Sequence, residues 1–299
     1  MLVTGSVAIA RRFNISDMVV GLTIVSLGTS MPELIVNVIS SLEGKSDLAI
    51  GNIFGSNVAN LLLIVGVAAI ICPLPIRRNT ILSEIPFSLI ATLLVGFLAN
   101  VALFNTEKEM MLSRLDGVVL LFFFLLFMAY IYNIAKTNND APVESHQAMK
   151  IPKAILFVAL GMGGLFLGGK WVVDGAISLA LIFGLSESFI GLTVVAVGTS
   201  LPELVTSAMA AYRRNIDIAV GNVVGSNIFN LLWILGISAT ITPIPFNEIN
   251  NSDVLMMIFS STLLILALPF GRKNTIGRWN GVIFLLIYGA YITSLVYRG

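Results

Sequence analysis

The chain has 299 residues, of which 57% are hydrophobic and 11% are charged, and its formal net charge is +1. A soluble domain carries about 25% charged residues, so too few charges are present here to cover a water-exposed surface. The near-neutral chain gives no support for a nucleic-acid partner. A single cysteine, Cys72, excludes a disulfide within the chain and a metal site made of cysteines. We therefore expect a membrane protein whose partner is the lipid bilayer.

Long apolar runs predict membrane-spanning helices, which need roughly 20 residues each. The first residues of the chain are predicted to form the end of a helix. Four complete helices are predicted after it, near 18–41, 48–72, 83–104 and 116–135. A polar stretch at 136–150, which contains the lone His146, is predicted to be a flexible linker. Five more helices follow near 151–183, 188–211, 218–242, 253–270 and 280–297.

The second part of the chain repeats the first. Gly21–Leu34 reappears as Gly191–Leu204, at an offset of 191 − 21 = 170 residues, with the shared pattern Gly-Thr-Ser-x-Pro-Glu-Leu. A second shared pattern, Gly-Asn-x-x-Gly-Ser-Asn, begins at Gly51 and again at Gly221. Internal repetition of this length indicates two copies of one structural unit.

These matches divide the chain into a first repeat at 1–135, a cytoplasmic linker at 136–150 and a second repeat at 151–299. The second repeat has five helices and the first has four, because only the tail of the helix at 151–183, from Trp171 on, has a counterpart, at Met1. We therefore expect the first repeat to lack about twenty residues of a first helix, either because the recorded start is wrong or because the chain begins with a stub of that helix.

Lys and Arg residues indicate how the chain threads the membrane, because cytoplasmic loops carry an excess of them. Alternate threading places twelve on one side and four on the other, with Lys170 inside a helix. The twelve are Arg11, Arg12, Arg77, Arg78, Lys136, Lys150, Lys153, Arg213, Arg214, Arg272, Lys273 and Arg278, and the four are Lys45, Lys108, Arg114 and Arg298. The bias places the linker in the cytoplasm and the second repeat upside down relative to the first. Inverted repeats are typical of secondary transporters, whose site lies between the copies.

Two acidic residues, Glu33 and Glu203, occupy equivalent positions well inside predicted helices. A carboxylate at that depth costs a few kcal/mol and indicates a functional site. The alternative, a buried ion pair, lacks support because no Lys or Arg lies at a similar depth in these helices. Thr29 and Ser30 precede Glu33, and Thr29 shares a helix face with Glu33 because the two are four residues apart.

Further oxygen donors repeat in the same way. Thr199 and Ser200 precede Glu203, and Pro32 and Pro202 each free a backbone carbonyl one turn earlier, because proline has no N–H. In the second pattern, Ser56 and Asn60 are four residues apart and can face one site, as can Ser226 and Asn230. Asn52 and Asn222 fit a ligand role and a helix-packing role equally well.

A site made only of oxygen donors suits a hard cation such as Ca²⁺, which takes about six to eight oxygen ligands. The lack of histidine and clustered cysteine argues against Zn²⁺ and Cu⁺. Two carboxylates balance the charge of one Ca²⁺, and they could equally hold two protons or two or more Na⁺ ions. Competition for one site is the physical basis of exchange.

The paired Gly-Thr-Ser-x-Pro-Glu and Gly-Asn-x-x-Gly-Ser-Asn patterns resemble the α-repeats of the sodium/calcium exchanger family, within the cation/Ca²⁺ exchanger superfamily. The resemblance implies an all-α, multi-spanning fold of ten helices in two inverted five-helix repeats, with a diamond of four ion sites. It implies central Ca²⁺ ligands at Glu33, Glu203, Thr29 and Thr199. It implies Na⁺ ligands at Ser30, Ser200, Ser56 and Ser226, and backbone carbonyl ligands at Ser26 and Ala196.

The chain departs from this family in two respects. Some members carry Asp where this chain has Asn230, so the site here has two negative charges rather than three, with amides at both Asn60 and Asn230. In addition, the first and sixth helices are thought to slide across the core during transport in this family. A chain that lacks most of the first helix could fold without transporting.

The sequence favours a Na⁺/Ca²⁺ antiporter without a cofactor. A Ca²⁺/H⁺ antiporter is the main alternative, and proton-coupled relatives typically carry Gly-Asn-x-x-Glu where this chain has Gly-Thr-Ser-x-Pro-Glu. A channel fits less well, because an inverted repeat around an acidic pair suits alternating access. A membrane enzyme is disfavoured, because no histidine, nucleophile or cofactor motif accompanies the two carboxylates.

Overall fold

The computed structural model describes residues 1–13, 15–101, 110–137, 149–182, 196–269 and 274–298. The first repeat begins with α1 (Leu2–Arg12), followed by a broken helix made of α2 (Asp17–Val20), a π-helical turn at Gly21–Val25, α3 (Ser26–Thr29) and α4 (Met31–Leu42). It continues with α5 (Ser46–Val58), a π-helical turn at Ala59–Ile64, α6 (Val65–Ile71), β1 (Leu74–Pro75), α7 (Arg78–Leu82), α8 (Glu84–Ala99), β2 (Met111–Leu112) and α9 (Arg114–Thr137).

The second repeat copies this order wherever it is described. It contains α10 (Ile151–Ile182), α11 (Ala196–Thr199), α12 (Leu201–Tyr212), α13 (Ile216–Ile228), a π-helical turn at Phe229–Ile234, α14 (Leu235–Ile241), β3 (Ile244–Pro245), α15 (Asn250–Ala267), β4 (Thr275–Ile276) and α16 (Arg278–Arg298). The start of the predicted helix at 188–211 and most of the linker lie outside the described residues.

The described helices confirm an all-α membrane protein. Seven are long and apolar enough to cross a bilayer, and an eighth span is formed if the bent pair Asp17–Thr29 and Met31–Leu42 counts as one. α1 has 11 residues, so it is roughly 16 Å long and too short to span the membrane. It packs along the start of α10, where an added Cβ on Gly5 would lie 2.7 Å from the carbonyl oxygen of Ala154.

Two antiparallel strand pairs show that the repeats are inverted. β1 pairs with β4, and β2 pairs with β3. β3 and β4 lie at opposite ends of α15, whose 18 residues extend roughly 27 Å. Because β1 lies beside β4, β1 and its copy β3 are at opposite ends of the molecule. The prediction of two inverted repeats is thereby confirmed.

The helices that carry the second sequence pattern form the centre of the molecule. In Ser46–Ile71 and Ile216–Ile241, 78% and 94% of the most apolar 18-residue segment is buried, whereas in α9 and α16 only 17% and 22% of that segment is buried. The outer helices therefore present their apolar side chains to lipid, and Leu125 on α9 is one example, at 65% exposed. Polar residues at the centre, away from lipid and from water, need partners within the protein.

Candidate cation site

A break in the helix positions the acidic residue of the first repeat. Asp17–Thr29 and Met31–Leu42 meet at an angle of 48°, and Ser30 lies between them. Pro32 lies in the first turn of α4, where a missing N–H costs nothing because those N–H groups have no partner within the helix. The second repeat has the same break at Ser200, with Pro202 in the first turn of α12.

Glu33 and Glu203 each occupy the first turn of the helix that follows the break. Each is 1% exposed. The free N–H groups and the dipole at a helix N-terminus favour a negative charge. The break therefore explains how a carboxylate is stabilised in the middle of a membrane span, where a continuous helix would offer it no such support.

The two carboxylates lie at the interface between the repeats. Ser30 donates from Oγ to Oε1 of Glu203 at 2.8 Å, and Ser200 donates from Oγ to Oε1 of Glu33 at 3.4 Å. Ser226 also donates to Oε1 of Glu203, at 3.3 Å. Each acidic residue thus contacts the serine beside the break of the opposite repeat.

The predicted residues of the second pattern face the same region. Ser226 reaches Glu203, and Asn60 donates from Nδ2 to Oδ1 of Asn227 at 2.9 Å, which links the two central helices. Asn60 and Asn230 each lie in a π-helical turn. Such turns widen the helix locally and are frequent at functional sites.

Several buried polar atoms at this centre lack a hydrogen-bond partner within the described part of the chain. They are Oε2 of Glu33, Oε2 of Glu203, Oγ of Ser56, Oδ1 of Asn60, and both Oδ1 and Nδ2 of Asn230. An unpaired buried polar atom costs about 1–3 kcal/mol, and more if it is charged. Five of these six atoms are oxygens, the kind of ligand that a hard cation takes.

Two asparagines that the sequence left undecided have a definite role in the structure. Thr29 donates from Oγ1 to Oδ1 of Asn222 at 3.1 Å, and Thr199 donates to Oδ1 of Asn52 at 3.0 Å. Both hydrogen bonds cross between the repeats. One feature of the sequence indicated that Asn52 faces the site. Asn52, Ser56 and Asn60 are spaced four residues apart and therefore share a helix face.

Two predicted ligands are less clearly placed. The carbonyl of Ser26 accepts from the N–H of Ser30 at 2.9 Å, so it takes part in the helix, and its ion contact stays a prediction. Ala196 begins α11, and its contact with an ion likewise stays a prediction.

The donor set suits a hard cation. Among the described residues, no three His, Cys, Asp or Glu side chains come together, so the site combines two carboxylates with neutral hydroxyl and amide oxygens. This chemistry matches Ca²⁺ and Na⁺ better than soft metals.

Comparison with known proteins connects this geometry to a family. The sequence model described as sodium/calcium exchanger protein matches residues 1–133 and 153–297. The chain belongs to this family. The resemblance predicted from the paired patterns is confirmed, and with it the general prediction of a membrane antiporter for cations.

Relatives cover almost the entire chain. The sodium/calcium exchanger MaX1 of Methanosarcina acetivorans is 32% identical over 97% of this chain and 91% of its own length. The inner membrane protein YrbG of Escherichia coli is 35% identical over 98% of this chain and 90% of its own length. A structure of the sodium-calcium exchanger NCX_Mj superposes with a TM-score of 0.80 at 34% identity, covering 98% of this chain and 92% of that one.

Proposed function

We propose that this exchanger moves Ca²⁺ across the membrane in exchange for Na⁺, and that Glu33 and Glu203 bind the Ca²⁺ between the repeats. The observation that carries the proposal is the pair of buried carboxylates. Each accepts a hydrogen bond at Oε1 from a serine of the opposite repeat, and its Oε2 has no partner among the described residues. Two negative charges balance one Ca²⁺, which would supply the missing partner of both Oε2 atoms.

Neutral oxygens beside the carboxylates support Na⁺ as the counter-ion. Ser30, Ser200 and Ser226 lie within hydrogen-bonding distance of a carboxylate. Oγ of Ser56 is buried and has no hydrogen-bond partner among the residues that the structure describes. Na⁺ is a hard cation, so a site that combines hydroxyl and carboxylate oxygens suits it as well. A relative named sodium/calcium exchanger and the family itself favour the same pair of ions.

The arrangement of α1 and α10 supports alternating access as the mode of transport. α10 crosses the break of the first repeat, where an added Cβ on Gly28 would lie 2.9 Å from the sulfur of Met162. α1 packs on α10 and also contacts α12, where Arg213 donates to the hydroxyl of Thr4. On this proposal the α1–α10 pair moves across the site-bearing helices and exposes the site to each side in turn.

The cellular placement belongs to the same proposal. We place the protein in the cell membrane with the linker at 136–150 in the cytoplasm. Twelve of the sixteen Lys and Arg residues that the threading assigns to one side or the other then face inward. Under this threading the ion pair of Arg77 and Asp217, at 2.6 Å, lies at the cytoplasmic end.

The proposal is tested by uptake of radiolabelled Ca²⁺ into proteoliposomes that contain the purified protein. One set carries an outward Na⁺ gradient, one carries an outward H⁺ gradient, and a third carries neither. We expect uptake in the Na⁺ set alone. Uptake in the H⁺ set alone would make the chain a Ca²⁺/H⁺ antiporter on the same fold and would overturn the Na⁺ assignment of the serines.

A further inference from the structure

The threonines beside the two helix breaks pose a chemical problem for a cation site. Thr29 lies near the Glu203 carboxylate, and Thr199 lies near the Glu33 carboxylate. A hydroxyl has one hydrogen and two lone pairs. If the hydrogen points at the carboxylate, it faces the cation that the carboxylate binds. If the hydrogen points elsewhere, a lone pair faces the cation.

Asn222 provides an alternative acceptor for the hydrogen of Thr29. Its Oδ1 lies 3.1 Å from Oγ1 of Thr29, and both residues are at most 1% exposed. The equivalent pair has its threonine in the second repeat and its asparagine in the first: Oγ1 of Thr199 lies 3.0 Å from Oδ1 of Asn52. Both pairs are buried, at most 7% exposed. The backbone carbonyl of Ser26 lies 3.4 Å from Oγ1 of Thr29, so it is a more distant acceptor than Asn222.

The orientation of the Asn222 amide follows from its other contacts. Its Nδ2 donates to Oγ of Ser207 at 2.9 Å and to the backbone carbonyl of Glu203 at 3.4 Å. A carbonyl only accepts hydrogen bonds, so Nδ2 has to face it. Oδ1 is therefore directed at Thr29, and the amide is fixed as an acceptor for that hydroxyl.

We propose that Asn222 and Asn52 are positioning residues that take up the hydroxyl hydrogens of Thr29 and Thr199, so that the hydroxyl oxygens turn a lone pair toward the cation. The proposal rests on the proposed function, because the cation is the one that the carboxylate pair would bind. Each asparagine acts on the threonine of the opposite repeat, so neither repeat completes its half of the site alone.

The two repeats are not equivalent in this respect. The counterpart of Ser207 is Asn37, at 207 − 170, and Asn37 donates from its own Nδ2 to the carbonyl of Glu33 at 3.0 Å. Nδ2 of Asn52 has no partner within the described residues. Asn52 is thus held by fewer hydrogen bonds than Asn222, and a substitution at Asn52 disturbs less of the surrounding structure.

A double-mutant cycle tests the proposal. The variants are Asn222→Leu, Thr29→Val and their combination, and the readout is the Ca²⁺ concentration that gives half-maximal uptake. Each single substitution is expected to raise this concentration about fivefold, the size of one lost hydrogen bond. The combination should raise it no further, because the asparagine has no role once the hydroxyl is gone.

The matched control combines Asn222→Leu with Thr199→Val, the threonine of its own repeat. Here we expect the two effects to multiply, to about 25-fold. A structural role alone would lower the melting temperature and the maximal rate of uptake without this selective coupling. Multiplying effects in the Asn222 and Thr29 pair would overturn the proposal.

Two further measurements distinguish a misfolded variant and a failure of the proposed function from a failure of the positioning role. If Asn222→Leu does not fold, the same cycle is measured with Asn52→Leu and Thr199→Val, and multiplying effects there would equally overturn the proposal. If the unaltered protein shows no Ca²⁺ uptake under any gradient, the proposed function has failed. If it shows uptake and the cycle is additive, only the positioning role has failed.

Discussion

Replacement of either Glu33 or Glu203 by Gln is expected to abolish Ca²⁺ uptake and leave the fold intact. Each substitution removes one of the two negative charges and leaves the site with a net positive charge when Ca²⁺ is present. Loss of one partner from a buried charge pair costs about 3–5 kcal/mol, which corresponds to binding weaker by roughly 10²-fold to 5 × 10³-fold. The Gln side chain still accepts the hydrogen bond from Ser200 or Ser30, so packing at the break is preserved. Uptake into proteoliposomes and the melting temperature in detergent measure the two parts of the prediction.

Glu84→Gln is the matched control. Glu84 is also a buried glutamate in the first turn of a helix, at 3% exposed, and it accepts a hydrogen bond from Tyr130 at 2.9 Å. It has no described contact with the carboxylate pair, so uptake by this variant should remain near that of the unaltered protein. Normal uptake by a well-folded Glu33→Gln or Glu203→Gln variant would remove that residue from the site.

Gly281→Ala is expected to destabilise the protein substantially, although the residue lies far from the site in sequence. α16 crosses α6 so closely that an added Cβ on Gly281 would lie 2.6 Å from the carbonyl oxygen of Gly66. Backbone has to move to accommodate it, and overpacking of this kind costs about 1–3 kcal/mol. The crossing recurs with the repeats exchanged, where a Cβ on Gly117 of α9 would lie 2.7 Å from the carbonyl oxygen of Gly236 on α14. A lower melting temperature in detergent is the expected result.

Gly289→Ala controls for the effect of alanine on the same helix. An added Cβ on Gly289 has no neighbour within 4 Å, and alanine favours a helix over glycine by about 1 kcal/mol. We therefore expect an unchanged or slightly higher melting temperature. Equal destabilisation by both substitutions would show that the close crossing is not what stabilises this pair of helices.

The sequence predicted the helices well where a span is uniformly apolar and bounded by polar residues. The helix predicted near 116–135 is Arg114–Thr137, and the one near 280–297 is Arg278–Arg298. The span predicted at 18–41 is instead broken, and only Pro32 indicated the break. The π-helical turn at Gly21–Val25 had no signal, because such a turn depends on packing against α13 rather than on local preference.

The sequence predicted that the two glutamates lie close together, but it did not predict their side-chain partners. The inverted repeat placed Glu33 and Glu203 in one site by symmetry, and the structure brings them to the same interface. Which side chain pairs with which across the repeats, as in Ser30 with Glu203, depends on how the central helices cross, and one repeat carries no information about that. The hydrogen bond from Thr29 to Asn222 was missed for the same reason.

The central claim is that one carboxylate from each repeat forms a single cation site. Titration of the purified protein with Ca²⁺, followed by calorimetry, tests it most directly. The account predicts one Ca²⁺ bound per chain, displaced by Na⁺ and lost in both Glu33→Gln and Glu203→Gln. Binding of one Ca²⁺ per glutamate, with each variant retaining one independent site, would contradict it.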